Sequence, residues 1–207
     1  MDEILLETVV GSHIWQMATP DSDMDIFRVY KAPTRDILLG KVPRSKFEEK
    51  IDGKDITYHE IGTVYHQILK SNINFVIGLF SPIVVQKPLG NMIKFLIYAR
   101  HVVDSQIYNS IHGMAISNYK KYGMEQYGDR IPEATYNKIL RFVQFGIDFL
   151  KTNEFQFKPF RNGNEELMRM KIQELDEAYQ DCKHPSTMSY TVEKLADVLI
   201  DIRMENY

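Results

Sequence analysis

The rhythm of apolar residues along this chain changes near residue 60. Before it, they come in short blocks. ILLETVV at 4–10 and MDIFRVYK at 24–31 suit buried strands, and the Pro-Asp-Ser of 20–22 supplies a turn before the second. DITYHE at 55–60 alternates, which places Ile56, Tyr58 and Glu60 on one face of a third strand. Between them, KVPRSKFEEKIDGK at 41–54 is charged throughout and reads as an exposed loop. After residue 60 the period becomes helical. Ile61, Val64, Tyr65, Ile68 and Leu69 form one stripe. A short helix is expected over 74–80, stopped before Pro82, and another over 90–103. In 105–122, Tyr108, Ile111, Ala115, Tyr119 and Tyr122 share a face, with Gly123 as C-cap. Residues 133–151 carry a wide apolar face that includes Ile139, Leu140, Val143 and Ile147, and helices over 165–180 and 191–205 complete the set. Strands first and helices after predict an α+β fold, a small sheet followed by a helical half. The boundary is expected around KPLGN, which gives domains at 1–88 and 89–207.

Composition narrows the class. With 207 residues, 44% of them hydrophobic, the chain can bury one ordinary core or two small ones. There is no apolar run long enough to span a membrane, which takes about 18 residues. The opening MDEILLETVV is acidic where a signal peptide is basic. The single cysteine, Cys182, excludes an internal disulfide framework and a Cys-rich zinc site. A reduced, cytoplasmic protein without a membrane partner is expected. The net charge of −3 gives no overall basic field. The distribution is uneven: residues 99–161 hold 9 Lys and Arg against 6 Asp and Glu, and residues 162–207 hold 5 against 10. The basic excess in the middle fits phosphate contact and fits a solvated helix face equally well.

The candidate chemistry is in GSHIWQMATPDSDMDIF, residues 11–27. Asp23 and Asp25 are two apart, so a strand beginning near residue 23 puts both carboxylates on one face. Such a pair repels itself unless a cation sits between. Mg2+ suits it, being hard, oxygen-seeking and satisfied by a few carboxylates with phosphate oxygens and waters. A third carboxylate from a neighbouring strand completes a two-metal site. Glu60, at the end of a predicted strand and directly before a helix, is the candidate, although an acid there can equally be a strand end or a helix-start charge. Asp21 reads as a turn residue with no metal role. Gly11-Ser12, at the end of a buried strand, can present backbone N–H groups and a hydroxyl to phosphate. His59 and His66 share no metal spacing with a third ligand, and Cys182 has no base arranged beside it.

Gly11-Ser12, a spacer, then Ser22-Asp23-Met24-Asp25 resembles the signature of the DNA polymerase β-like nucleotidyltransferases. The wording is similar to one branch, the predicted bacterial and phage nucleotidyltransferases linked to RNA repair, which tends to have Gly-Ser-Arg-Ala-Trp-Gly and Ser-Pro-Asp-Ser-Asp-X-Asp. Trp15 and the run from Pro20 to Asp25 match; His13 and Gln16 depart, the latter replacing a glycine. HEIGTVYHQILKSNINFVIGLFSPIV at 59–84 resembles that branch's acid, amphipathic helix and Ser-Pro-Ile-Val, and on this register Glu60 falls where the branch has its third acid. SIHGMAISNYKKYG at 110–123 and NKILRFVQFGIDFL at 137–150 extend the likeness to about residue 155.

The resemblance implies a palm-like catalytic core with a mixed sheet, and a helical half that closes over the nucleotide. It implies transfer of a nucleoside monophosphate from a nucleoside triphosphate such as ATP to an acceptor hydroxyl, with release of pyrophosphate. Asp23 and Asp25 would bind two Mg2+ ions, with Mn2+ able to substitute, and Glu60 would bind the ion that activates the nucleophile. Gly11 and Ser12 would hold the β- and γ-phosphates, and Lys120, Lys121 and Lys138 would reach the triphosphate from the helical half. An RNA end is the expected acceptor. A protein side chain or small molecule is the alternative, since an RNA binder more often shows a basic stripe. A non-catalytic nucleotide-binding module is a third class, against which the intact Gly11, Ser12, Asp23, Asp25 and Glu60 argue.

Overall fold

The computed structural model describes residues 3–41, 46–121, 131–183 and 189–205. The expected face residue Tyr122 and the Gly123 cap lie outside the described residues. Contacts divide the chain into two compact units: residues 1–103 with 187–207, and residues 104–186.

The first unit is built on a mixed five-stranded sheet. β1 (Glu3–Val9) and β2 (Met24–Lys31) pair antiparallel. β2 runs parallel to β4 (Lys54–Glu60), and β3 (Lys46–Ile51) and β5 (Val84–Gln86) form the two edges, in the order β3-β4-β2-β1-β5. β2 is buried on both faces at Ile26, Phe27, Val29 and Tyr30, which is why its apolar residues come in adjacent pairs rather than alternating. The charged segment expected as a loop contains β3. Its Glu48, Glu49 and Lys50 are exposed, and a charged edge strand resists pairing with another chain. The turn is Asp52-Gly53, both residues at positive φ (50° and 73°), as a tight hairpin requires.

Helices pack against this sheet. After the five-residue α1 (Thr34–Leu38), α2 (Ile61–Ile68) buries Ile61, Val64 and Ile68, as its stripe predicts. α3 (Ile73–Leu79) lies so close to β2 that a Cβ on Gly78 would stand 2.5 Å from the Phe27 ring, and Thr8 Oγ1 donates to Gly78 O at 2.6 Å. α4 (Asn91–Val102) packs against α8 (Ser189–Met204), the last helix, which returns to this unit. Its carboxyl end is tied to the sheet. The buried Lys31 ammonium, paired with Glu3 at 2.7 Å, donates to the carbonyls of Ile202 (3.2 Å) and Glu205 (3.1 Å). Thr34 Oγ1 donates to Arg203 O at 3.0 Å. These groups satisfy the open carbonyls of a helix end. The contacts therefore divide the chain at 103/104 and 186/187 rather than at 88/89, because α4 and α8 bury their apolar faces in the sheet-bearing unit.

Among the described residues, the second unit packs α5 (Ile107–Lys120), α6 (Glu133–Thr152) and α7 (Glu165–Gln180) together. Gly146 lets α6 approach both neighbours: a Cβ there would stand 2.6 Å from Ile111 Cδ1 and 3.1 Å from Leu175 Cδ1. Tyr108 stacks on Tyr179 with ring centroids 4.2 Å apart and donates to Asp176 at 2.8 Å, joining α5 to α7. α6 ends on Asn153 in the left-handed conformation (φ 58°), whose N–H closes on Phe149 O at 2.7 Å. Among the described residues, no helix is long and apolar enough to cross a membrane.

Candidate active site

The Gly-Ser turn and the first two strands meet at one corner of the first unit. Val10 N donates to Asp25 O at 2.8 Å, which carries the end of β1 alongside the start of β2. The chain then turns, with Gln16 N donating to His13 O (3.2 Å) and Met17 N to Ser12 O (3.0 Å). Ile14 and Trp15 are buried beneath this turn and anchor it. Gly11 has φ +70°, and a Cβ on it would overlap Asp25 Oδ2 and stand 2.8 Å from Asp25 Cγ. Only glycine meets both demands without displacing the carboxylate. Gln16, where the resembling branch has glycine, also sits at positive φ (54°), so the loop keeps the left-handed bend and the glutamine bears its strain. His13 Nδ1 is buried beside Gly11-Ser12 with no hydrogen-bond partner among the described residues.

The carboxylates gather differently from the expected set. Asp23 is exposed, one residue before β2, and Asp25 lies at its start. Asp21 is exposed in the turn where Ser22 N donates to Thr19 O at 3.0 Å. In the parallel β2–β4 register Asp25 stands beside Asp55, and Tyr30 beside Glu60. Five residues of strand separate Asp55 from Glu60, about 16 Å at roughly 3.3 Å per residue. An odd number also turns the two side chains to opposite faces. Glu60 is thus not brought to the pair. It is buried, it caps α2 by accepting from Gly62 N at 2.7 Å, and it pairs with Arg203 of α8. Its role in this fold is a helix cap and a tie to the last helix.

Asp55 is the acid that sequence reading passed over. It opens the same DITYHE segment whose far end drew attention. The missed signal was Asp52-Gly53, which marks a hairpin and hence a strand that starts at Lys54. Lys50 faces Asp55 across that hairpin, and its ammonium lies 3.0 Å from Asp55 Oδ2. The Asp55 carboxylate, and then the fields of Asp23 and Asp25, hold the Lys50 ammonium above its ordinary range. Asp25, Glu48, Lys50, Asp55 and Thr57 line one cavity of about 360 Å3.

Lys120, the last residue of α5, and Lys138, on α6, are exposed residues of the second unit. Among the described residues, no three His, Cys, Asp or Glu side chains converge closely enough to grip an ion as they stand. The acids at the corner offer carboxylate oxygens, which is the chemistry a hard divalent cation takes. Asp25 and Asp55 lie on strands about 4.8 Å apart, close enough for side-chain rotation to bring them to one ion.

Residues 2–190 match the profile of the RNA repair pathway DNA polymerase beta family, RlaP, and the chain belongs to that family. No curated protein matches it.

Proposed function

We propose that this RlaP member is a metal-dependent nucleotidyltransferase that moves a nucleoside monophosphate from a nucleoside triphosphate to a hydroxyl at an RNA end. The observation that carries the reading is the juxtaposition of Gly11, Asp25 and Asp55: a backbone turn free of Cβ against one carboxylate, with a second carboxylate beside it in register.

The residues fit the expected ions. Asp23, Asp25 and Asp55 would hold one or two Mg2+, with Asp55 in the place first given to Glu60. Bound there, the metal supplies positive charge to the triphosphate and to the acceptor oxygen. Gly11 and Ser12 hold the β- and γ-phosphates through turn N–H groups and the Ser12 hydroxyl. The buried His13 Nδ1 gains a phosphate partner it otherwise lacks. The acceptor hydroxyl oxygen forms a bond to the α-phosphorus, the bond from that phosphorus to the bridging oxygen breaks, and pyrophosphate leaves. Asp55 takes the hydroxyl proton and passes it to solvent.

The net charge of −3 keeps a second acceptor class, a protein side chain or small molecule, in view. One assay separates the two. The protein is incubated with each nucleoside triphosphate labelled at the α-phosphate, Mg2+, and either mixed tRNA or cell lysate, beside Asp23→Asn and Asp55→Asn. Label on RNA that vanishes in both variants supports the reading, whereas label on protein favours the second class. Transfer that survives both variants overturns the site.

A further inference from the structure

One basic side chain sits among the three acids of the corner. Lys50 belongs to the exposed edge strand, faces Asp55 across the hairpin, and meets its carboxylate at 3.0 Å. Asp23 and Asp25 act on the same ammonium. The other acids of that strand have different roles: Glu49 accepts from Tyr58 at 2.8 Å on the network that includes Arg28, and Glu48 lines the cavity with Lys50. The Lys50 side chain is 78% exposed, so water and salt screen its ion pair and little free energy holds it in place. Its four-carbon stem lets the charge move several ångströms without any change in the backbone.

We propose that Lys50 is the resident counter-cation of the carboxylate corner: it stands in the metal's place between turnovers and yields that place to metal arriving with nucleotide. The inference rests on the reading of Asp23, Asp25 and Asp55 as the metal site. Two cations compete for the same oxygens. A divalent ion wins, but the ammonium weakens the hold on a free ion, because the ion must displace it and then endure its repulsion. A metal that arrives with a triphosphate brings negative charge, which gives the displaced ammonium a new partner. Lys50 therefore couples the two ligands: metal binds weakly alone and tightly with nucleotide, and nucleotide gains equally from metal.

The test is Mn2+ binding to the full chain, followed by paramagnetic resonance of the free ion, with and without a non-hydrolysable nucleoside triphosphate. Without nucleotide, Lys50→Met is expected to bind Mn2+ about fivefold more tightly than the unmodified protein, and the gain should shrink as salt rises. Lys50→Gln should behave alike, Lys50→Arg should match the unmodified protein, and Asp55→Asn should lose the ion. With nucleotide, the advantage of Lys50→Met should disappear. If Asp55→Asn loses the ion while Lys50→Met and Lys50→Gln bind no more tightly than the unmodified protein, the counter-cation inference falls and the metal site stands. If Asp55→Asn binds as the unmodified protein does, or no variant binds Mn2+, the metal site falls and the inference with it.

Discussion

Gly11 lies against the carboxylate of Asp25, so close that a Cβ added to the glycine would overlap Oδ2 and stand 2.8 Å from Cγ. The Gly11-Ser12 turn and the acidic strand are therefore one device: the turn's backbone sets where the Asp25 carboxylate can rest. Gly11→Ala should push that carboxylate aside and also force a Cβ into the left-handed region, at about 1–2 kcal/mol of stability. A displacement near 1 Å at reacting groups costs about a hundredfold in rate. Label transfer should fall by that order while the protein still melts cooperatively.

Asp55 and Glu60 end the same strand and should fail in different ways. Asp55→Asn removes a half-exposed acid whose ion pair with Lys50 is largely screened, so stability should stay within about 0.5 kcal/mol while transfer is lost. Glu60→Ala leaves Arg203, itself only 15% exposed, without its carboxylate, and also removes the α2 cap. Stability should fall by about 3 kcal/mol, with the specific activity of the folded fraction retained. Urea unfolding beside label transfer reads both variants, and the opposite pattern would return Glu60 to the site.

α8 should be required for the first unit to fold. It buries Leu195, Val198 and Ile202, each 5% exposed or less. At about 1.5–3 kcal/mol per side chain, these contribute roughly 5–9 kcal/mol, comparable with the whole stability of a domain. A chain ending at residue 186 should lose the first unit's unfolding transition, read as loss of amide hydrogen-exchange protection in β1 and β2. The family match stops at residue 190, so this helix lies almost wholly outside it.

The second unit should weaken in acid through Glu174. Hydrogen bonds from Lys151 on α6 (2.8 Å) and Lys171 (2.6 Å) hold its carboxyl below the usual range. A depressed folded value stabilises above the unfolded carboxylate range, and that share is lost as pH falls through the folded value. The side chain is a third exposed, so screening limits the effect to below about 1 kcal/mol. Glu174→Gln should lower the urea midpoint near pH 6, and the difference from the unmodified protein should shrink as pH falls below the ordinary carboxylate range.

Gln16 carries a left-handed strain that glycine would not. Gln16→Gly should raise stability by up to about 1 kcal/mol, offset in part by the freer unfolded chain, and leave transfer intact. A fall in the urea midpoint would show that the glutamine side chain holds the turn.

Much of this protein could be read locally. The stripe at Ile61, Val64 and Ile68 depends only on spacing within one turn or two, and so do the long helices. The pairing of Gly11-Ser12 with Asp23 and Asp25 is equally local, because a strand, a turn and a second strand bring them together within fifteen residues. The charged β3 escaped, since polarity alone does not distinguish a loop from an edge strand open to water. Three-residue β5 was too short to show a period.

The choice between Asp55 and Glu60 could not be made from spacing. Both are acids at the ends of KDITYHE, and either can follow from a strand of that length. The sequence by itself determined where two carboxylates stand two apart behind a Gly-Ser turn. Only the tertiary structure decided which other acid of β4 lies beside them, because parallel register is set by pairing across thirty residues and by the Asp52-Gly53 hairpin. That register places Asp55 beside Asp25 and leaves Glu60 about 16 Å away, on the other face, where it holds Arg203. Helical periodicity likewise showed that α8 has an apolar face. Which surface covers that face was settled by long-range contact, in the carbonyls that Lys31 and Thr34 secure at the far end of the chain.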